Sequence, residues 1–232
     1  MKIIALPFAG GSKHSFNYLR KELENKSIDL VGIGYFDSVK NNKYHKKTIQ
    51  EVAAIILKSI LPIIADEPYV VYGHSMGALV GYEICKIIAQ KNLPLPLKLV
   101  VSGRNAPCHS VDHKTYTLPS DNFWKVLDEL GGLPNELLLE KSIREMLEPG
   151  LRKDFECVET YQYQIAQKLP IPIDVFYGTT EGISESNIYD WNRETDKNVQ
   201  IQQLTGNHFF IFDHTPYFIQ YFQSIFQINA TI

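Results

Sequence analysis

The segment YVVYGHSMGALVGYE, residues 69–83, permits very few local geometries. Strand-forming residues run without alternation into Gly73, and a helical pattern starts just past Ser75, with Leu79, Val80, Ile84, Ile87 and Ile88 on one side. A strand that becomes a helix within five residues leaves no room for a loop. The residue at the corner is held in a strained conformation, so its neighbours must be small, as Gly73 and Gly77 are. A continuous apolar strand is one buried on both faces, which places this corner in a parallel sheet covered by helices.

The rest of the chain repeats that rhythm. Strands are expected at 2–6, 29–33, 69–73, 97–102, 173–177 and 199–204, most of them unalternating apolar runs. Helical patterns fall at 15–25, after Ser75, and at about 216–226. Another starts at Thr48, where Glu51 three residues on makes a capping-box signature, and continues to about residue 64. Strand alternating with helix means an α/β fold.

One block departs from the alternation. Between residues 120 and 168 there is helical periodicity and no strand. Phe123, Val126, Leu127 and Leu130 share a face, a loop follows at Gly131-Gly132-Leu133-Pro134, and helix resumes through Met146, Leu147, Leu151, Phe155, Val158 and Tyr161. The expected organisation is a single domain over 1–232 with a helical lid inserted at about 120–168, above the C-terminal edge of the sheet.

Composition narrows the function classes. With 232 residues, 44% of them hydrophobic, the chain can bury one substantial core. A net charge of -3 offers no global surface for nucleic acid or membrane. The cysteines, Cys85, Cys108 and Cys157, are odd in number and lack CxxC spacing, which argues against a disulfide framework or a zinc site and fits a reducing cytoplasm. The apolar start at Lys2–Leu6 is too short for a signal peptide and is broken by Pro7 and Gly10-Gly11, so it reads as a first strand.

Gly73-His74-Ser75-Met76-Gly77 is a GxSxG sequence between a strand and a helix, the setting of a nucleophile elbow. An ordinary βα turn with a serine cap has the same outline; the context favours Ser75 as nucleophile. A serine needs a base. Of seven histidines, His208 in LTGNHFFIF follows the last strand, where a sheet edge delivers a base to the elbow. His214 falls in the connection to the last helix, His74 lies inside the elbow, and His14, His45, His109 and His113 sit in loops. For the acid, Glu181 lies just past the strand at 173–177, where a carboxylate reaches the base and holds its tautomer. Asp174 within the strand, Glu185 in the loop and Asp190 on the next helix are the alternatives. Oxyanion donors would be the N–H of Met76 and one from the glycine-rich loop LPFAGGS after the first strand. Neither a Walker pattern nor GxGxxG is present.

Together these segments resemble the type II thioesterases that accompany nonribosomal peptide and polyketide synthases, within the α/β-hydrolase superfamily. The likeness runs along nearly the whole chain. LPFAGGS resembles the first-strand loop, YGHSMGA the elbow and GNHFFIF the histidine segment. FWKVLDELGGLPNELL and EPGLRKDFECVETYQY resemble the lid signature, with Arg152, Asp154 and Tyr161. The elbow and histidine motifs occur across α/β-hydrolases; the lid signature is the specific one.

The resemblance implies a cytoplasmic, monomeric hydrolase without a cofactor or metal of its own. It would clear acyl or aminoacyl groups from the phosphopantetheine arm of carrier proteins. It makes Ser75 the nucleophile, His208 the base, and Ala9 and Met76 the oxyanion donors. The family's acid, usually aspartate, falls on Glu181 after Gly178. A second departure is GIGYFDS after the second strand, where the family carries a PGH- or PGR-like turn. A basic cluster, Lys40, Lys43, Lys46 and Lys47, with Lys13, Arg20 and Lys21 elsewhere, would steer an acidic carrier or simply solvate a loop. Two rivals stand beside this reading: an esterase acting on small esters, and a non-catalytic carrier-binding protein.

Overall fold

Six strands pair side by side in the order β2-β1-β3-β4-β5-β6, and every adjacent pair is parallel. They are β1 (Lys2–Leu6), β2 (Asp29–Gly32), β3 (Tyr69–His74), β4 (Leu99–Ser102), β5 (Ile173–Gly178) and β6 (Val199–Leu204). The computed structural model describes residues 1–35, 48–111, 113–132 and 140–229. The basic cluster from Lys40 to Lys47, His45, and Leu133 and Pro134 lie outside the described residues.

Burial explains the apolar runs. Every residue of β3, β4 and β5 is buried, because helices cover both faces of the sheet. On one face lie α1 (Asn17–Glu24) and the C-terminal helix (Thr215–Asn229), through Leu19, Leu23, Phe218 and Phe222. On the other lie α2 (Ile49–Ile64) and α3 (Met76–Gln90), through Ile56, Ile60, Leu79 and Ile84. Strand β6, at the edge, has no buried residue, and half-buried and exposed positions alternate over its first four residues, as in a strand with one wet face. Thr48 caps α2 with the full capping box: its hydroxyl accepts from Glu51 N–H at 3.2 Å, and Glu51 Oε2 accepts from Thr48 N–H at 2.8 Å.

The inserted block contains α4 (Ser120–Leu130) and α5 (Lys141–Glu159), preceded by a short 3-10 turn at Thr115–Thr117. Phe123, Trp124 and Leu127 of α4 pack with Leu151 and Phe155 of α5 in a small core of their own. Helix ends at Glu159, earlier than the periodicity predicts, and residues 161–168 carry no helix. The reason lies in two carboxylates. Tyr161 donates its hydroxyl to Glu83 at 2.7 Å and Tyr163 donates to Glu194 at 2.9 Å. Those partners sit on separate elements, which an open chain reaches and a continued helix does not.

The remaining helices among the described residues are α6 (Glu185–Tyr189) after β5, followed by a 3-10 turn at Asp190–Arg193, α7 (Phe210–Asp213) after β6, and the C-terminal helix, α8 (Thr215–Asn229). The strands all run the same way, so their C-terminal ends share one edge. That edge delivers Phe8 and Ala9 after β1, Ser75 after β3, Arg104 after β4, Glu181 after β5 and His208 after β6. In an open α/β sheet this is the edge where ligands bind.

Candidate active site

Ser75 has φ 56° and ψ -113°, a conformation that side chains rarely adopt, between β3 and the first residue of α3. Its N–H donates to Ser102 O at 2.8 Å, which ties the corner to β4. The two glycines of the motif are steric requirements. A Cβ on Gly77 would stand 2.0 Å from Leu6 O, and one on Gly73 would stand 2.1 Å from Gly77 O. Strand and helix cannot come this close with any larger residue at either position.

His208 follows β6, and its Nδ1 pairs with Glu181 Oε1. This leaves Nε2 as the nitrogen available to a nucleophile. Both His208 and Ser75 line the same cavity. The other Glu181 oxygen accepts the Gly178 N–H at 2.9 Å, so the carboxylate is held from both sides, and its side chain is only 2% exposed. The other acids are engaged elsewhere. Asp174 accepts from Lys98 at 2.6 Å and from Tyr221 at 2.7 Å. Asp190 pairs with His109 at 2.8 Å and with Arg193 at 3.0 Å. Glu185 begins α6 on the surface. Among the histidines, His214 bonds Thr205 O at 2.8 Å and His14 meets Asn17 at 3.3 Å, while His113 sits on the cavity wall.

His74 is fully buried beneath the site, its ring 4.9 Å from that of His208. Its Nδ1 lies 2.9 Å from Ser102 Oγ, which in turn lies 3.2 Å from Tyr72 Oη. Burial, reinforced by the neighbouring His208, holds its pKa well below the usual imidazole range. The elbow histidine is therefore neutral at pH 7, and places no fixed positive charge against His208.

Ala9 and Met76 bring their N–H groups to the same edge of the sheet. Among the described residues neither amide donates to a backbone carbonyl. Met76 is the first residue of α3, where the helix dipole favours negative charge. The loop carrying Ala9 is braced on two sides. Tyr35 donates its hydroxyl to Pro7 O, and Gly10 donates its N–H to Asp154 Oδ2 at 2.8 Å. Asp154 belongs to α5 and is 4% exposed. Burial pushes its pKa up to about 7, against the opposing pull of the Gly10 N–H.

The cavity itself measures about 590 Å³. Its walls are mostly apolar and come largely from the inserted helices, with Trp124, Leu127, Leu151, Phe155 and Val158 facing Phe209. Sequence reasoning noted Asp154 without giving it a task, and it missed Arg104, which lies on this wall. No local pattern marks either; each is significant only for what the fold sets beside it. Away from the cavity, Cys108, His109 and Asp190 bring three possible metal ligand atoms within 4.8 Å of one another. Asp190 there is already engaged by His109 at 2.8 Å and Arg193 at 3.0 Å.

A parallel sheet, a strained serine corner and an imidazole–carboxylate pair on one cavity define the α/β-hydrolase class. Within that class the chain belongs to the thioesterase family: the family model described as "Thioesterase domain" matches residues 1–226. Gramicidin S biosynthesis protein GrsT of Aneurinibacillus migulanus is 30% identical over 221 residues, covering 92% of this chain and 84% of that protein. Thioesterase PikA5 of Streptomyces venezuelae is 26% identical, covering 92% and 76%. Among solved structures, the RedJ thioesterase from the prodiginine pathway of Streptomyces coelicolor superposes with a TM-score of 0.87 at 23% identity, over 97% of this chain and 90% of that one. Among the described residues no helix is long and apolar enough to cross a membrane.

Proposed function

We propose that this thioesterase is a type II, editing enzyme that hydrolyses acyl or aminoacyl thioesters on the phosphopantetheine arm of carrier proteins. The observation that carries the reading is the meeting of Ser75, on its strained corner, with the His208–Glu181 pair on one cavity walled by the inserted helices. The similarity to proteins named for gramicidin S biosynthesis and for a prodiginine pathway supports the carrier-bound substrate.

In this mechanism Ser75 Oγ attacks the thioester carbonyl as its proton passes to His208 Nε2. Glu181 holds the imidazole in the productive tautomer and stabilises the imidazolium that forms. The N–H groups of Ala9 and Met76 receive the oxyanion. The C–S bond breaks as His208 gives that proton to the departing pantetheine sulfur, so the thiol leaves, His208 is neutral again and an acyl-serine remains. Water then gives a proton to His208 and attacks the acyl-serine; the acyl C–Oγ bond breaks as His208 returns the proton to Ser75 Oγ, releasing the carboxylic acid. A thiolate is a good leaving group, so placement of the carbonyl counts for more than acid catalysis. The chemistry is complete without a cofactor or metal. The helices α4 and α5 act as a lid that shields the acyl group from bulk water and admits a slender arm. The enzyme works as a monomer in the cytoplasm.

The test is intact mass spectrometry of acetyl- or aminoacyl-loaded carrier protein after incubation with enzyme. Wild type unloads the carrier and Ser75→Ala does not. A protein that left every carrier loaded while hydrolysing small esters would be an esterase instead. One that did neither, with Ser75 unreactive toward a fluorophosphonate, would be a binding protein.

A further inference from the structure

Arg104 is a charged side chain on the cavity wall that makes no hydrogen bond or close ion pair with any described residue, although Glu159 acts on it electrostatically. Asp154 is bonded to Gly10 N–H, and Glu159 accepts the Tyr116 N–H at 3.2 Å. Among the described residues Arg104 is the only lysine or arginine lining the cavity, and its guanidinium makes no hydrogen bond and no ion pair with any of them. Its backbone is fixed. Gly103 N–H donates to Phe176 O at 3.0 Å, and Trp191 Nε1 donates to Arg104 O at 3.1 Å. The side chain therefore departs from a rigid point at the end of β4, beside the residue that abuts both His74 and Glu181.

A guanidinium has five N–H donors and no acceptor. Burial pushes the Arg104 pKa down to about 10, with Tyr161 and Glu159 acting in the opposite direction, so the group is still charged at neutral pH. The cavity that Arg104 shares with Ser75 is lined mostly by apolar side chains, Trp124, Leu127, Phe155 and Val158 among them; Thr115, Asp154 and Glu159 also bring oxygens to its wall, but none of these is hydrogen-bonded to the guanidinium. A plain alkyl chain filling this space would strip water from the guanidinium and leave its donors unmet. A chain carrying an oxygen where it passes Arg104 would satisfy them. A site built to hydrogen-bond an oxygen rejects the analogue that lacks it far more strongly than an apolar pocket discriminates by size.

We infer that Arg104 is a specificity-determining residue that selects acyl groups bearing an oxygen acceptor over plain alkyl acyl groups. The acceptor is a carboxylate or a neutral carbonyl. A carboxylate suits the planar fork best, whereas Glu159, close enough to act on Arg104, lessens the gain from a negative charge. The inference rests on the thioesterase reading above and adds to it the class of acyl group.

The experiment compares pantetheine thioesters of three short acyl groups of similar size: valeryl, with no further oxygen; levulinyl, with a neutral ketone; and succinyl, with a carboxylate. In wild type, kcat/KM for levulinyl or succinyl exceeds that for valeryl by about tenfold or more. Preference for succinyl alone identifies a carboxylate reader, and preference for both identifies a reader of neutral oxygen as well. In Arg104→Met the ratio falls toward one. Arg104→Lys, which keeps the charge and loses the fork, restores part of it. Equal turnover of valeryl by wild type overturns the assignment alone, and the wild-type comparison holds even if Arg104→Met fails to fold. An equal loss on all three thioesters in a folded Arg104→Met, with Ser75 still labelled by fluorophosphonate, also overturns it. No turnover of any thioester by wild type overturns the hydrolase reading, and this inference with it.

Discussion

Gly10 gives its N–H to Asp154 Oδ2 at 2.8 Å, across 144 positions of sequence. The contact joins helix α5 to the loop that carries Ala9, and Leu151 of the same helix presses on Gly10 from one turn away. An oxyanion donor is worth most when it is already in place before charge develops. Asp154→Leu removes the acceptor and lets this loop relax. The expected result is a kcat lower by about tenfold with a smaller change in KM, since the interaction lost is one made in the transition state. Asp154→Asn keeps an oxygen acceptor and most of the rate. Steady-state kinetics on one acyl-pantetheine separates the two, and equal rates in Asp154→Leu and wild type would rule the loop contact out of catalysis.

The same carboxyl makes stability depend on pH. Its pKa lies near 7 in the fold against an ordinary 3.8, so the folded state prefers the protonated form. Its contribution is fully present below the unfolded value and is lost as pH rises through about 7. The difference corresponds to at most roughly 4 kcal/mol. Asp154→Asn, which never ionises, should therefore melt higher than wild type at pH 8, with the gap closing toward pH 4. Paired thermal melts at the two pH values measure it; a gap that widened toward acid would contradict the buried-acid account.

Glu181 has two partners, His208 Nδ1 and Gly178 N–H, and its two oxygens have separate tasks. Glu181→Gln keeps the size and removes the charge that favours the correct tautomer. The expected loss in kcat is about a thousandfold or more. Glu181→Asp restores the charge but draws it back by one methylene, and should fall between. Rates on a loaded carrier, with Ser75→Ala as the floor, give the ordering.

Gly103 has φ +64°, and a Cβ there would stand 2.6 Å from His74 Cε1 and 3.0 Å from Glu181 Oε1. Gly103→Ala thus pushes on the elbow histidine and the carboxylate together. Activity should drop at least about tenfold, since small misplacements at the reacting groups are costly. The methyl also strains a backbone at φ +64° and presses on the fully buried His74, so stability should fall with kcat; near-ultraviolet circular dichroism checks that the variant assayed is folded. A fully active Gly103→Ala would mean that this edge adapts more freely than its packing suggests.

What could be read from residue order alone follows from how locally each feature is encoded. Strands β1, β3, β4 and β5 were visible because burial on both faces leaves apolar runs, and the Thr48–Glu51 capping box because it spans one helical turn. The approach of Glu181 to His208 was foreseeable since parallel strands must bring their C-terminal ends to one edge. The end of α5 at Glu159 was not, because the pull on Tyr161 and Tyr163 comes from Glu83 and Glu194, far away in sequence. Arg104 was hidden for a similar reason. Its significance is that no described residue hydrogen-bonds its guanidinium in the folded cavity, and no stretch of sequence displays that.

Those tyrosines also carry stability. Glu83 on α3 is buried with Lys86 at 3.1 Å from its Oε1, and Tyr161 donates its hydroxyl to the same oxygen at 2.7 Å. Tyr161→Phe removes one hydrogen bond to a charged group and should cost about 1.5–3 kcal/mol. Glu83→Leu is worse, because it strands the Lys86 ammonium in a buried setting, and a cost of about 3–5 kcal/mol is expected. Replacing both, Glu83→Leu with Lys86→Leu, removes the unpaired charge and should recover much of the loss. Urea midpoints for the three variants, referred to wild type, make the comparison. If the double variant were as unstable as Glu83→Leu alone, the penalty would lie in packing against α3 and not in the stranded charge.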